Sequence, residues 1–213
     1  MHKYKKYWRK TSLKQKGVGD LFLKHVKKYN PKNFLEIGIF HGVTARNVCE
    51  LLYSLHGDNF SFTGIDIFSK NSELSKEEII PQTKFSNPLK HIYYKYIIKL
   101  DPYSLESVNK LLKKFKDNIN IIEGNSNSVL EKINLHEVDY VFLDGGHKYE
   151  TVINDLNLLT KVVNNKGVIL CDDYDLSYAP GVRKAIDEYV KINKFNLEIL
   201  HSRFAEIKKI LND

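Results

Sequence analysis

Three aspartates and a histidine stand where a parallel sheet would deliver its chemistry. Val138–Leu143 is a short apolar run ending in Asp144, with Gly145, Gly146 and His147 behind it. Gly167–Cys171 is a second such run, and it ends in Asp172 and Asp173. Apolar runs of this length read as strands buried on both faces. Ligands of open α/β sheets bind just beyond the carboxyl ends of such strands, so the three acids should converge on one crevice. Carboxylates gathered there repel each other unless a cation or a shared proton compensates them. A hard divalent ion held by oxygen, Mg²⁺ foremost, meets that need with Asp144, Asp172 and Asp173 as ligands. The blander alternative is that Asp172, Asp173 and Asp175 cap the turn that follows.

A second group of residues lies upstream. Glu36-Ile-Gly38-Ile-Phe-His-Gly42-Val-Thr44 puts one glycine at a strand end and another at a helix start. Glycine lets the backbone turn tightly and approach a ligand, and a helix N-terminus offers unbonded N–H groups. The spacing is Gly-x-x-x-Gly, not the Gly-x-Gly-x-x-Gly of dinucleotide binders, which disfavours an NAD-linked oxidoreductase. Glu36 sits where a carboxylate could face a cationic ligand. Asp66 ends the next strand, 30 positions on, where an acid can grip a ribose diol or simply cap a turn. Asn125 and Ser126 follow a third strand and could bond an adenine or serve as a helix cap.

These positions presuppose alternating strands and helices. Helical spacing over 18–29 stops at Pro31, and 34–37 is the first strand. A helix then buries Ala45, Val48, Cys49, Leu52 and Leu55, and 60–67 is the second strand. Ser104 caps a helix over 104–116, and 120–122 is the third strand. Helices after 138–143 and 167–171 lead to a closing antiparallel hairpin, 195–200 and 205–211. Such alternation predicts an α/β, Rossmann-like doubly wound fold with helices on both faces of a parallel sheet. Residues 69–103 break the pattern with Pro81, Pro88, Pro102 and an aromatic cluster at 91–96, and read as a lid-like insertion. Residues 1–16 form a basic N-terminal arm, leaving 17–213 as the domain.

Taken together, the motifs Glu-x-Gly-x-x-x-Gly, Asp66, Gly124-Asn-Ser126 and Leu143-Asp-Gly-Gly-His147 resemble class I S-adenosylmethionine-dependent methyltransferases. Within that class, residues 30–211 resemble the macrocin O-methyltransferase and cephalosporin hydroxylase-like group. The resemblance implies a seven-stranded sheet ordered 3-2-1-4-5-7-6 with the last strand antiparallel. It implies S-adenosylmethionine with Glu36, Gly38, Gly42 and Thr44 near its methionine part, Asp66 at the ribose, Asn125 and Ser126 at the adenine, and Asp144 alongside. It also implies a metal on Asp144, Asp172 and Asp173, which orients an acceptor hydroxyl and lowers its pKa. The proton then needs a base. Macrocin-type enzymes carry an acid at the place of Gly146 and catechol-type enzymes a lysine nearby, which leaves His147 and Lys148 as candidates beside Asp144. Histidine titrates near neutrality, which suits the task. Tyr93, Tyr94 and Tyr96 could stack on a sugar or other small polyol, with Tyr174 and Arg203 lining the acceptor side.

Composition sets the outer bounds. The chain has 213 residues, 42% of them apolar, enough for one domain with a real core. No apolar run reaches the roughly 18 residues that span a bilayer, and no apolar h-region follows the basic start. Cys49 and Cys171 read as small buried hydrophobes, so a cytoplasmic protein is expected. The formal charge of +7 raises a rival from another class, a non-catalytic nucleic-acid-binding module using the basic arm. The same charge arises where an AT-biased genome fills a chain with lysine, so nucleic acid is the weaker partner and a small-molecule or sugar acceptor the stronger. A homo-oligomer is compatible with either reading.

Overall fold

In a computed structural model the chain is described over residues 2–68, 87–135 and 137–210. Seven strands form one sheet: β1 (Asn33–Ile37), β2 (Ser61–Asp66), β3 (Ile119–Glu123), β4 (Val138–Leu143), β5 (Val163–Cys171), β6 (Asn196–Leu200) and β7 (Phe204–Lys208). Their spatial order is β3-β2-β1-β4-β5-β7-β6, as expected. β1 to β5 pair in parallel, and β7 runs antiparallel to both β5 and β6.

Side-chain alternation along the strands explains why both faces are covered. Phe34, Phe62, Tyr140, Phe142, Leu170 and Phe204 point to one face, where they pack with α1 (Val18–Tyr29), α2 (Val43–His56) and the later helix α4 (Leu105–Leu112). Leu35, Ile65, Val141, Leu143, Ile169 and Ala205 point to the other, against α5 (Ser126–Leu130), α6 (Tyr149–Val162) and α7 (Pro180–Asn193). The helices begin where the sequence allows. Ser104 caps α4 by accepting the Ser107 N–H, and Pro180 opens α7, where a missing N–H costs nothing.

Three local features depart from expectation. The helix over 104–116 is α-helical only to Leu112 and tightens into a 3₁₀ turn over Lys113–Phe115. β5 starts four residues early, and its register with β4 shifts between Val138 and Tyr140. A short helix α3 (Pro88–Ile92) runs into a π-helical segment, Tyr93–Ile98, within the insertion. Residues 69–86 of that insertion lie outside the described residues. Cys49 and Cys171 are buried and unpaired, as read from the sequence. Among the described residues no helix is long and apolar enough to cross a membrane.

Candidate active site

Strand order reverses at β1, which pairs with β2 on one side and β4 on the other. A reversal of this kind opens a crevice at the carboxyl edge. Register then decides which residues meet there. Ile37 pairs with Leu143, so the turn after β1 lies beside Asp144, and Leu143 pairs with Cys171, so Asp144 neighbours Asp172. Cys171 pairs in turn with Ala205 of antiparallel β7, which brings the Arg203 turn to the same edge.

A cleft of about 1100 Å³ occupies this edge. Gly38, Asp66, Asn125, Ser126, Asp144, His147, Asp173 and Arg203 all line it. That volume exceeds the roughly 300–1,000 Å³ of a typical single-ligand pocket. Gly38 is a required glycine: its φ is 91°, and a Cβ there would meet the Asp144 carbonyl oxygen at 1.9 Å. Asp66 accepts the Phe40 N–H at 2.7 Å, the Phe68 N–H at 2.9 Å and the Tyr103 hydroxyl at 2.8 Å. Burial still raises its pKa. Asn125 caps α5 by accepting the Asn127 N–H, and both it and Ser126 face the cleft. Glu36 is fully buried and neither carboxylate oxygen has a hydrogen-bond partner. Burial, with Asp66 nearby, pushes its pKa well above the carboxylate range.

At the other end each acid has a donor from a different segment. The Ser12 hydroxyl donates to Asp144 Oδ2 at 2.6 Å, and His147 Nε2 lies 3.0 Å from Asp173 Oδ2. Arg203 donates from Nε to Asp172 Oδ1 and from Nη2 to Asp172 Oδ2, both at 2.6 Å. Burial raises Asp144 well above its ordinary pKa, with Asp172 and Asp173 adding to the effect. Burial lifts Asp172 to about 6 even against the Arg203 fork. Asp173 holds a left-handed backbone at φ 60°, a strained setting that a short polar residue tolerates. Among the described residues no group of three His, Cys, Asp or Glu is arranged to hold a metal ion.

Not every expected residue joins the cleft. Lys148, exposed at the start of α6, and fully buried Glu36 do not line it, whereas His147 does. Gly42 and Thr44 serve α2 and the arm: a Cβ on Gly42 would press on Val108, and the Thr44 hydroxyl pairs with Tyr4 at 2.8 Å. Tyr93 and Tyr94 pack on the arm, against Trp8 and Arg9, and Tyr96 is exposed away from the cleft. Tyr174 is buried with its hydroxyl on Asp187. These tyrosines therefore correct the expected acceptor wall, because arm and helix packing claims their rings first.

The arm itself was missed as part of the site. Arg9 is 8% exposed and donates to the carbonyls of His41, Pro102 and Ser107. Lys5 exchanges backbone hydrogen bonds with the Asn47 amide, and Leu13 is buried in the core. Arg9, Ser12, Lys14 and Gln15 then wall the cleft. The available signal was Tyr4, Tyr7, Trp8 and Leu13 among the lysines, more apolar surface than a solvated tail would carry.

With the geometry in place, residues 35–174 match a family described as a methyltransferase domain. The chain belongs to that family. Solved structures share its fold: the O-methyltransferase NovP (TM-score 0.64, 16% identity, covering 90% of this chain and 80% of that one) and S-adenosylhomocysteine-bound PaMTH1 from Podospora anserina (0.61, 15%, 90% and 77%). CalS11, a TDP-rhamnose 3'-O-methyltransferase of calicheamicin biosynthesis, is similar at 0.60 and 14%, covering 92% and 81%. At such identities the likeness is one of fold. An uncharacterized protein, R132 of Acanthamoeba polyphaga mimivirus, is 33% identical over 109 residues, which cover 45% of this chain and about half (49%) of that relative.

Proposed function

We propose that this methyltransferase-family chain transfers a methyl group from S-adenosylmethionine to a hydroxyl of a small molecule. The observation that carries the reading is the single cleft joining Gly38, Asp66, Asn125 and Ser126 to the Asp144, His147 and Asp173 end. The cofactor fits what the residues offer. Glu36, next in sequence to the lining residues Ile37 and Gly38, leaves two buried oxygens without donors, a costly state that a cationic amino group reaching it would relieve. Asp66 retains lone-pair capacity for a diol. Asn125 and Ser126 present short polar groups where an adenine would lie.

When bound, the cofactor supplies an electrophilic methyl carbon on a sulfonium. The protein's part is alignment and proton removal. Asp173 fixes the His147 ring, and that imidazole accepts the hydroxyl proton as the new oxygen–carbon bond forms and the sulfur–carbon bond breaks. Asp144 faces the same space, and positive charge gathering there favours its ionised form over the protonated one that burial promotes. The divalent ion anticipated from the sequence fits less well, because both oxygens of Asp172 already hold Arg203, and no step is assigned to it.

The acceptor class follows from the mouth. Lys6, Lys10, Lys14 and Lys90 line the cleft, Lys6 and Lys14 exposed where Asp66 and Asp173 are buried. This positive rim suits an acceptor carrying phosphate or carboxylate, and a sugar nucleotide of the kind named for CalS11 meets that description. The basic arm is folded across the domain, with Arg9 buried, and so gives little support to a nucleic-acid clamp. Unpaired Cys49 and Cys171 suit a reducing, cytoplasmic setting. Titrating S-adenosylhomocysteine by calorimetry tests the reading: micromolar binding that weakens at least about tenfold in Glu36→Gln supports it. Absence of binding by the wild type would overturn it.

A further inference from the structure

Building on the methyltransferase reading, we propose that Arg203 is the resident cation of the carboxylate cluster, standing where a divalent ion would otherwise be held. The chain then assembles its acceptor end without Mg²⁺.

The register of the sheet puts Arg203 there. Cys171 pairs with Ala205 in antiparallel fashion, so the residues following β5 face the residues preceding β7. Arg203 lies in the tight β6–β7 turn, after His201 and Ser202 at φ 55° and 51°. Its N–H donates to the Leu200 carbonyl at 3.2 Å and its own carbonyl accepts the Tyr174 N–H at 2.8 Å. The backbone is therefore tied at both ends before the side chain makes any contact. The side chain, 11% exposed, runs past the Phe204 ring to the acids.

The contact is a planar fork, both Asp172 oxygens at 2.6 Å, with Asp173 Oδ1 and the Ser12 carbonyl each 3.4 Å from Nη2. Two parallel charge-assisted bonds are the strongest form this pair can take, and guanidinium keeps its charge at any working pH. A metal bridging Asp172 to its neighbours would have to sit against that positive group, since guanidinium has no lone pair to offer it. Ser12 meanwhile occupies Asp144 Oδ2, and His147 occupies Asp173 Oδ2. The void bounded by Asp144, His147, Asp172 and Asp173, with Val152, Cys171 and Val182 on its apolar side, measures about 10 Å³. That void has room for about one water. Asp144, His147 and Asp173 also line the larger cleft, so it is the occupied carboxylate oxygens and the guanidinium charge, not lack of space, that disfavour an ion there.

Mn²⁺ serves as the probe, read by electron paramagnetic resonance on the full chain, with S-adenosylhomocysteine affinity measured separately in chelator and in excess Mg²⁺. The proposal expects no stoichiometric Mn²⁺ uptake by the wild type and unchanged cofactor-product affinity in the two buffers. Arg203→Met, or Arg203→Gln if that variant does not fold, should gain one Mn²⁺ per chain by uncovering the acids. Uptake of one Mn²⁺ by the wild type that Asp172→Asn abolishes would overturn the proposal. So would the absence of gain in a folded Arg203 variant, because the guanidinium would then fill no metal's place. Loss of S-adenosylhomocysteine binding in every buffer would sink the methyltransferase reading instead, and the Mn²⁺ result would still decide the role of Arg203.

Discussion

Two groups of buried acids lie along β7 and meet opposite fates. At its start, Arg203 contacts Asp172 and Asp173 beside Asp144, and burial raises Asp144 and Asp172 above the ordinary carboxylate range. Three residues on, Glu206 is fully buried on the α1 face yet has a pKa brought down to about 2. Burial alone would raise it. Hydrogen bonds to Oε2 from His25 at 2.5 Å and the Tyr29 hydroxyl at 2.7 Å, with Lys208 Nζ paired to Oε1 at 2.6 Å, reverse the sign. His25 is held in turn by the Tyr140 hydroxyl at 2.7 Å. The contrast is one of ratio. A lone acid among a lysine, a histidine and a tyrosine is complete, whereas three acids under one guanidinium keep a surplus of negative charge. A surplus of this kind, facing a cleft, is what a sulfonium and an ammonium group would neutralise.

The sharpest way to break the comparison is to neutralise one acid from each group. Glu206→Gln should destabilise the fold by about 3–5 kcal/mol, since Lys208 and His25 lose a buried partner. S-adenosylhomocysteine affinity should be unchanged. Asp144→Asn should do the reverse: no loss of stability, because the native acid is costly to ionise, but reduced affinity and methyl transfer. Urea denaturation beside calorimetry reads both quantities. Equal destabilisation by the two variants would erase the distinction between a structural acid and a functional one.

Titration sharpens the same contrast, with opposite signs. Glu206 has a folded pKa of about 2 against roughly 4.3 in an unfolded chain. Its contribution, about 3 kcal/mol, is complete above the unfolded value and disappears as pH falls toward 2. Asp172 is raised to about 6 from roughly 3.9, so its contribution is complete below the unfolded value and is lost as pH rises through 6. Urea midpoints across the acid range should therefore fall steeply below pH 4 in the wild type and less steeply in Glu206→Gln. An identical acid limb in the two proteins would show that Glu206 is not held down.

The two groups also differed in how readily the sequence disclosed them. Asp144, Asp172 and Asp173 end apolar runs, and a strand-end acid is legible because the sheet's polarity fixes where it must lie. The sheet order follows from the same run-and-helix alternation once the family resemblance is admitted. Glu206 sits in mid-strand among alternating residues, and nothing local marks it as paired with His25, 181 positions away. Arg203 was assigned to the acceptor side, but its fork on Asp172 depends on an antiparallel register that no local pattern sets. Ser12 was hidden for a related reason. Its arm reads as a run of lysines, and its anchors, Thr44, Asn47 and Ser107, are distant in sequence.

Ser12→Ala probes that hidden contact and should have the smallest effect. The hydroxyl donates to Asp144 at 2.6 Å and holds down a pKa that burial raises. Removing it leaves the arm anchored through Tyr4, Lys5 and Arg9, so the stability loss should be about 1 kcal/mol, typical of one side-chain hydrogen bond. Asp144 loses its one hydroxyl donor and shifts further toward the protonated form. Binding of a cationic cofactor should then weaken modestly at neutral pH and recover as pH rises, a dependence absent from Glu206→Gln. A Ser12→Ala protein whose cofactor affinity and pH profile match the wild type would confine the Ser12 contact to a packing role.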